Sequence, residues 1–552
     1  MGKVWGPEAI AKNQSTASYG NLSVIAESPK KDGLLYTGSD DGLIYVSENA
    51  GTDWRKVAGI SGVPEGAYVK KVVPGTLDGS TVFAAFDNHQ NSDFKPYLFK
   101  STDLGRNWTP IMGDLPENGA VKSFVQDHVD ANLLFVGTEY GVYASLDGGV
   151  KWTKLTGGMP TISVHDLVIQ KRENDLVVGT FGRGIYILDD YSALRALKPE
   201  VLNAEAKLFG VKDALLYVQS RRLGGTTKGT QGEAYYTAEN PSFGATFTYH
   251  LKDALKSKRD LRRDVERAAN QKKEAIVYPS LADLRVEVEE EAPVILFTVL
   301  DAGGRAVRTL TGPATKGINR VTWDLREPAT NLPRPTPPGM EALEEFGPPQ
   351  TGPLGMPGSY KVQMSKRVGG VVAPLGEAVA FRVVAEGTAS MNEADFKILS
   401  EFQQKVTRLQ RAVTGASENI DATRLKLTSI KTALDLTPGA PVKLRADVKG
   451  LEDRLAAMRL VVVGDTFAAG RYVDAVPALA ERIRSVAGNM RLSTSKPAVF
   501  WVDNYNLAAR DFEKELEKLR VLLDVDLKKL ERELDAAGAP ATPGRLLEFK
   551  AR

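Results

Sequence analysis

Ser101-Thr102-Asp103-Leu104-Gly105-Arg106-Asn107-Trp108 follows a short apolar run, Tyr97-Leu98-Phe99, and its pattern occurs twice more in the first 152 residues. Ser47-Glu48-Asn49-Ala50-Gly51-Thr52-Asp53-Trp54 and Ser145-Leu146-Asp147-Gly148-Gly149-Val150-Lys151-Trp152 share the form S-x-[DN]-x-G-x-x-W. The serines are 54 and 44 residues apart, the period of one four-stranded propeller blade per repeat. An Asp or Asn at the third position can accept from downstream backbone N–H groups, and the Gly supplies the turn with positive φ. The Trp opens the next strand and offers a large apolar surface to wedge between sheets. Ser47, Asn49, Gly51, Trp54, Ser101, Asp103, Gly105, Trp108, Ser145, Asp147, Gly149 and Trp152 therefore read as turn-building positions and not as substrate ligands.

On these residues the chain resembles the Asp-box (BNR) repeats of sialidase-like and sortilin-like β-propellers. It is also similar to large bacterial Asp-box proteins often labelled glycosyl hydrolase-like. That likeness rests on Trp5-Gly6-Pro7-Glu8, Thr37-Gly38-Ser39-Asp40-Asp41-Gly42, Phe86-Asp87-Asn88-His89, Val136–Gly141 and Val178–Tyr186. It matches the C-terminal portion of such proteins, which carry more blades upstream. Asn49 departs from the Asp of the box, and the fourth repeat has lost its box. The resemblance implies an exported, extracellular or periplasmic protein, although residues 1–5 contain no apolar signal-peptide core.

The chain has 552 residues, 42% hydrophobic and 25% charged, which fits several globular domains. A net charge of +2 gives no reason to expect nucleic acid. The absence of cysteine excludes disulfides, thiol catalysis and Cys-based zinc sites. No apolar run is long enough for a membrane helix.

The expected architecture is mainly β and then α. Residues 1–195 read as about four Asp-box propeller blades, the fourth being the degenerate unit Val164–Ile169, Leu176–Gly179 and Ile185–Leu188. Residues 196–240 form a connector. Residues 241–386 read as an immunoglobulin-like β-sandwich, with a helical insertion at 253–275 and a Pro/Gly-rich loop at 327–357. From Asn392 the period changes to about 3.6, as in Phe396, Leu399, Phe402, Val406, Leu409 and Val413. Residues 391–537 therefore read as an antiparallel helical bundle, followed by a tail at 538–552.

If the boxes lie on one face of the propeller, the other face carries Asp40, Asp41, Asp87, His89, Lys95, Glu139, Tyr140, Phe181 and Arg183. Such a rim suits a polar ligand, a glycan or a peptide. Glycoside hydrolysis is the alternative, and it needs two carboxylates about 5–9.5 Å apart. Asp41 and Glu139 are the pair available for it. A sialidase would need an arginine cluster and a Tyr paired with a carboxylate, and only Arg183 and Tyr140 are candidates for these roles. His128, His165 and His250 lack a second His at ligand spacing, so neither metal nor cofactor is expected. Four blades make an open arc, which favours self-association or a polypeptide that supplies further blades.

Overall fold

In a computed structural model of the chain, which describes residues 20–217, 219, 238–329, 352–387, 391–491 and 495–547, the three motifs close the same turn. Trp5–Glu8, Gly224–Gly229, Gly232, residues 330–351 of the Pro/Gly-rich segment and residues 548–552 of the tail lie outside the described residues. In each turn the Ser hydroxyl accepts from the Gly N–H, at 2.8 Å for Ser47–Gly51, 2.9 Å for Ser101–Gly105 and 2.8 Å for Ser145–Gly149. The same hydroxyl donates to the Asn or Asp two residues on, which accepts from the N–H groups that start the next strand. Asn49 performs this with its amide oxygen, so the departure from Asp leaves the turn intact.

The chain forms two compact units, residues 1–209 with 250–253, and residues 210–249 with 254–552. In the first, alternating apolar runs pair as antiparallel sheets in simple chain order. The first sheet is β1 (Leu22–Glu27), β2 (Leu35–Ser39), β3 (Ile44–Ser47) and β4 (Arg55–Lys56). The second is β5 (Tyr68–Pro74), β6 (Val82–Asp87), β7 (Tyr97–Ser101) and β8 (Thr109–Pro110). The third is β9 (Val121–Gln126), β10 (Leu134–Thr138), β11 (Gly141–Ser145) and β12 (Thr153–Lys154). The fourth has three strands, β13 (Val164–Gln170), β14 (Asp175–Thr180) and β15 (Ile185–Leu188).

Consecutive sheets stack through three apolar layers. Tyr36, Ile44 and Val46 of the first meet Val69, Val72 and Phe86 of the second. Phe83, Ala85 and Leu98 then meet Val121 and Phe124, while Phe135, Val142 and Ala144 meet Val164 and Leu167. A one-residue irregularity near the start of β1, β5, β9 and β13 shifts the register in every sheet. Such bulges turn side chains out of strict alternation. In β5, β9 and β13 they leave one apolar residue, Val69, Val121 or Val164, packed on the preceding sheet.

The fourth sheet lacks its box and is closed by other means. A turn of 3-10 helix, Tyr191–Ala196, packs Tyr191 against Phe135 with ring centroids 5.0 Å apart. Tyr191 Oη donates to Asp127 Oδ1 at 2.6 Å, and Arg195 donates to both oxygens of Asp127 at 2.8 and 2.9 Å. Burial alone would raise the Asp127 pKa, but these bonds outweigh it and bring it to about 2.

The expectation that each Trp wedges between sheets needs one correction. Trp152 is 7% exposed and its indole N–H donates to Ile111 O of the preceding sheet at 3.0 Å. Trp54 is 41% exposed, since among the described residues no sheet precedes its own.

In the second unit, Val294–Asp301 lies between Ala306–Gly312 and Gly358–Val368, and Val379–Ala385 borders the latter. Ala245–Leu251 and Gly317–Trp323 belong to a separate sheet. The two sheets meet through Phe247 on Phe297 and Phe381, and Trp323 on Tyr360. The charged insertion is an exposed helix, Lys258–Lys272, started by a Ser257/Asp260 capping box. A second helix, Leu281–Glu289, follows it and was not expected.

The C-terminal helices share one apolar core. The helical period that starts at Asn392 belongs to one long helix, Glu393–Asp435, since Gly415 alone cannot break so strong an apolar stripe. Val442–Val462 and Leu479–Arg491 pack with it. The last helix begins at Val499 and passes through a π turn at Leu522–Leu527 before ending at Ala536.

Candidate functional site

The bulges decide which side chains converge. The pairs of residues that follow the apolar anchors at these irregularities are Lys70 and Lys71, Lys122 and Ser123, His165 and Asp166. Lys71 Nζ reaches Asp166 Oδ1 at 2.9 Å, linking the second sheet to the fourth. Lys122 is almost fully buried, donates to Asp87 Oδ2 at 2.7 Å and lies 3.2 Å from Glu139 Oε2. His89 Nδ1 sits 2.7 Å from Asp87 Oδ1, and the His89 backbone N–H donates to the same oxygen.

The electrostatics follow from this packing. Burial opposes the charge on Asp87, but hydrogen bonds from Lys122 and His89 hold its carboxyl below the usual range. Burial likewise disfavours the Lys122 cation, and Asp87 and Glu139 more than restore it. Lys70 is different. Burial and then the neighbouring Lys122 charge push its pKa down, and it makes no ion pair among the described residues. Its Nζ lies 5.9 Å from the Tyr68 ring centroid. Burial, followed by Lys70 and Lys122, also lowers the pKa of His165. That ring stacks on exposed Phe181, with centroids 5.3 Å apart.

Of the residues singled out in the sequence, Asp87, His89 and Glu139 come together around Lys122, and Phe181 stacks on His165. The others stand apart from this cluster. Asp40 is buried and accepts from the Gly20 and Asn21 N–H groups, so it fastens the entry to β1. Asp41 accepts from Ser39 and borders a cavity of about 670 Å³ between the first two sheets, with Lys56, Ile60, Glu65 and Phe86. Lys95, Tyr140 and Arg183 have no contact with the cluster among the described residues; Lys95 only donates its N–H to Asp93, and Tyr140 its N–H to Thr138.

Lys70, Lys122 and His165 were missed as site residues. Their signal is the repeated opening of each inner strand by one apolar residue and two others: Val69-Lys70-Lys71, Val121-Lys122-Ser123, Val164-His165-Asp166. Among the described residues no group of His, Asp and Glu is arranged to hold a metal ion, and no helix is long and apolar enough to cross a membrane.

No family model matches the chain, and no curated protein matches it. Solved structures similar to parts of it include a GH74 enzyme of Niastella koreensis, 19% identical, covering 37% of this chain and 33% of that one, with a TM-score of 0.27. An ancestral GH74 enzyme is 16% identical over 36% of this chain and 26% of its own, with a TM-score of 0.25. YCF48 bound to D1 peptide is 12% identical over 36% of this chain and 64% of its own, with a TM-score of 0.22. The chain thus spans a third or less of the two enzymes. Similarity this low carries no argument about activity or partner.

Proposed function

We propose that the chain is a non-catalytic binding or scaffold protein, and that its first unit is a partial Asp-box β-propeller whose rim takes a carboxylate-bearing peptide or glycan. The carrying observation is Lys70, a half-buried cation without an ion-pair partner among the described residues, set beside the Phe181–His165 stack. A desolvated cation gains from a ligand carboxylate, and the exposed aromatic face offers apolar contact to a sugar or side chain. The immunoglobulin-like sandwich and the antiparallel bundle are then docking modules, and the setting is extracellular or periplasmic.

Hydrolysis is the less favoured reading. Glu139, one of its two carboxylates, is engaged by Lys122 at 3.2 Å. No carboxyl group with a displaced pKa among the described residues is displaced upward, as a general acid would be. The cavity beside Asp41 is the feature that keeps this reading alive.

Calorimetric titration with hexaglutamate and with tri-galacturonate tests the proposal against neutral xyloglucan oligosaccharides. Binding of one of the anionic probes, weakened roughly tenfold by Lys70→Ala, is expected for a charge-assisted contact. Release of reducing ends from a polysaccharide, abolished by Asp41→Asn or Glu139→Gln, would overturn it.

A further inference from the structure

The sheets of the first unit stack by a repeated knob and socket, and among the described residues the apolar positions at both ends of the stack are exposed. The knobs are the residues three apart that face the preceding sheet. Val69 and Val72 are 0% and 3% exposed, Val121 and Phe124 0% and 2%, Val164 and Leu167 0% and 3%. Leu22 and Ile25 hold the same register in the first sheet and are 63% and 73% exposed.

The sockets lie on the opposite face. A Cβ on Gly38 would come within 2.4 Å of Val69, and one on Gly137 within 2.6 Å of Val164, so in the first and third sheets glycine admits the knob, while the second sheet has Ala85 at this place. Gly179 is the equivalent residue of the fourth sheet, paired with Ile185 as Gly38 is with Ile44 and Gly137 with Val142. A Cβ there would meet only Asp166 of its own sheet, at 3.6 Å. Around this vacant socket Ile185 and Ile187 are 71% and 57% exposed, where Val142 and Ala144 of the third sheet are 1% and 4% exposed.

We propose that the first sheet of a second copy of this chain docks on the fourth sheet, with Leu22 and Ile25 entering over Gly179, Ile185 and Ile187. The occupant is a second copy because this chain carries both the unfilled knob and the unfilled socket, in the register it uses three times internally. A contact between two different faces closes into a ring when the rotation allows. Two copies of four sheets would give eight, within the four to eight usual for closed propellers. The proposal does not depend on what the rim binds.

Sedimentation velocity of the full chain tests it, together with Leu22→Glu/Ile25→Glu and Ile185→Glu/Ile187→Glu variants. These residues are exposed, so both variants should fold, as circular dichroism can verify. The unaltered chain should sediment at twice the monomer mass, and each variant alone as a monomer. An equimolar mixture of the two variants should regain a dimer, since one knob face and one socket face remain intact. A monomer at all concentrations overturns the proposal. So does a dimer that survives either variant, or a stable complex with a different polypeptide in its place.

Discussion

Single residues in the box turns act through hydrogen-bond geometry, and their weights differ. Ser145 is fully buried and holds the Gly149 N–H, whereas Asp147 is exposed and accepts from Val150 and Lys151. Ser145→Ala strands a buried donor and should cost about 2 kcal/mol in urea unfolding. Asp147→Asn should cost less than Asp147→Ala, because Asn49 already performs this role in the first turn. Asp127 makes a pH-dependent contribution. Its folded pKa of about 2 lies below the 3.8 of an unperturbed aspartate, so the stabilisation is complete above the unfolded pKa and is lost as pH falls through 4 toward 2. The shift corresponds to about 2 kcal/mol. Acid titration of stability should therefore be flatter over that range in Asp127→Asn, which is destabilised at neutral pH. The box residues were legible because their spacing is local. The Asp127–Tyr191–Arg195 cluster was not, since Asp127 lies more than sixty residues from the other two and no pattern joins them.

At the scale of elements, strand positions were legible wherever one face is apolar, as in Val121–Gln126 and Ile185–Leu188. The bulges were not, because a single extra residue leaves the apolar alternation recognisable while it redirects the side chains that matter. That is why Asp87 and Glu139 could be named from the sequence but the lysine between them could not. The continuity of Glu393–Asp435 was hidden for a related reason. Local propensity at Gly415 suggests a break, and tertiary packing of Val413, Ala416 and Ile420 overrides it. The glycines of the second strands give a paired prediction. Gly137→Ala would place a methyl 2.2 Å from Ser123 Oγ and 2.6 Å from Val164, forcing the third and fourth sheets apart. Overpacking of this kind costs about 1–3 kcal/mol. Gly179→Ala meets nothing closer than 3.6 Å and should leave the stability of the isolated chain unchanged. Thermal denaturation of the two variants at low protein concentration compares them directly.

For the whole molecule, the described apolar clusters of the propeller-like sheets and of the helices share no residue. The clusters that join the sheets draw on residues between Val24 and Leu194, and the helical clusters on residues between Phe402 and Ala539. Composition could not reveal this, since a 42% hydrophobic chain is compatible with one large core or several. The change of period near Asn392 did mark where the β pattern gives way to the helical one. Separate cores imply separate cooperativity, because two-state behaviour belongs to a single packed domain and not to a chain of them. Scanning calorimetry should resolve more than one transition. Ser145→Ala and Gly137→Ala should lower only the transition of the sheet unit. Replacing Leu427, a fully buried member of the helical core, with Ala should lower only another, by the ~2–5 kcal/mol of a core cavity. A single transition that shifts as one with all three substitutions would mean that the units unfold together, and the stability of the rim would then depend on the helices as much as on its own sheets.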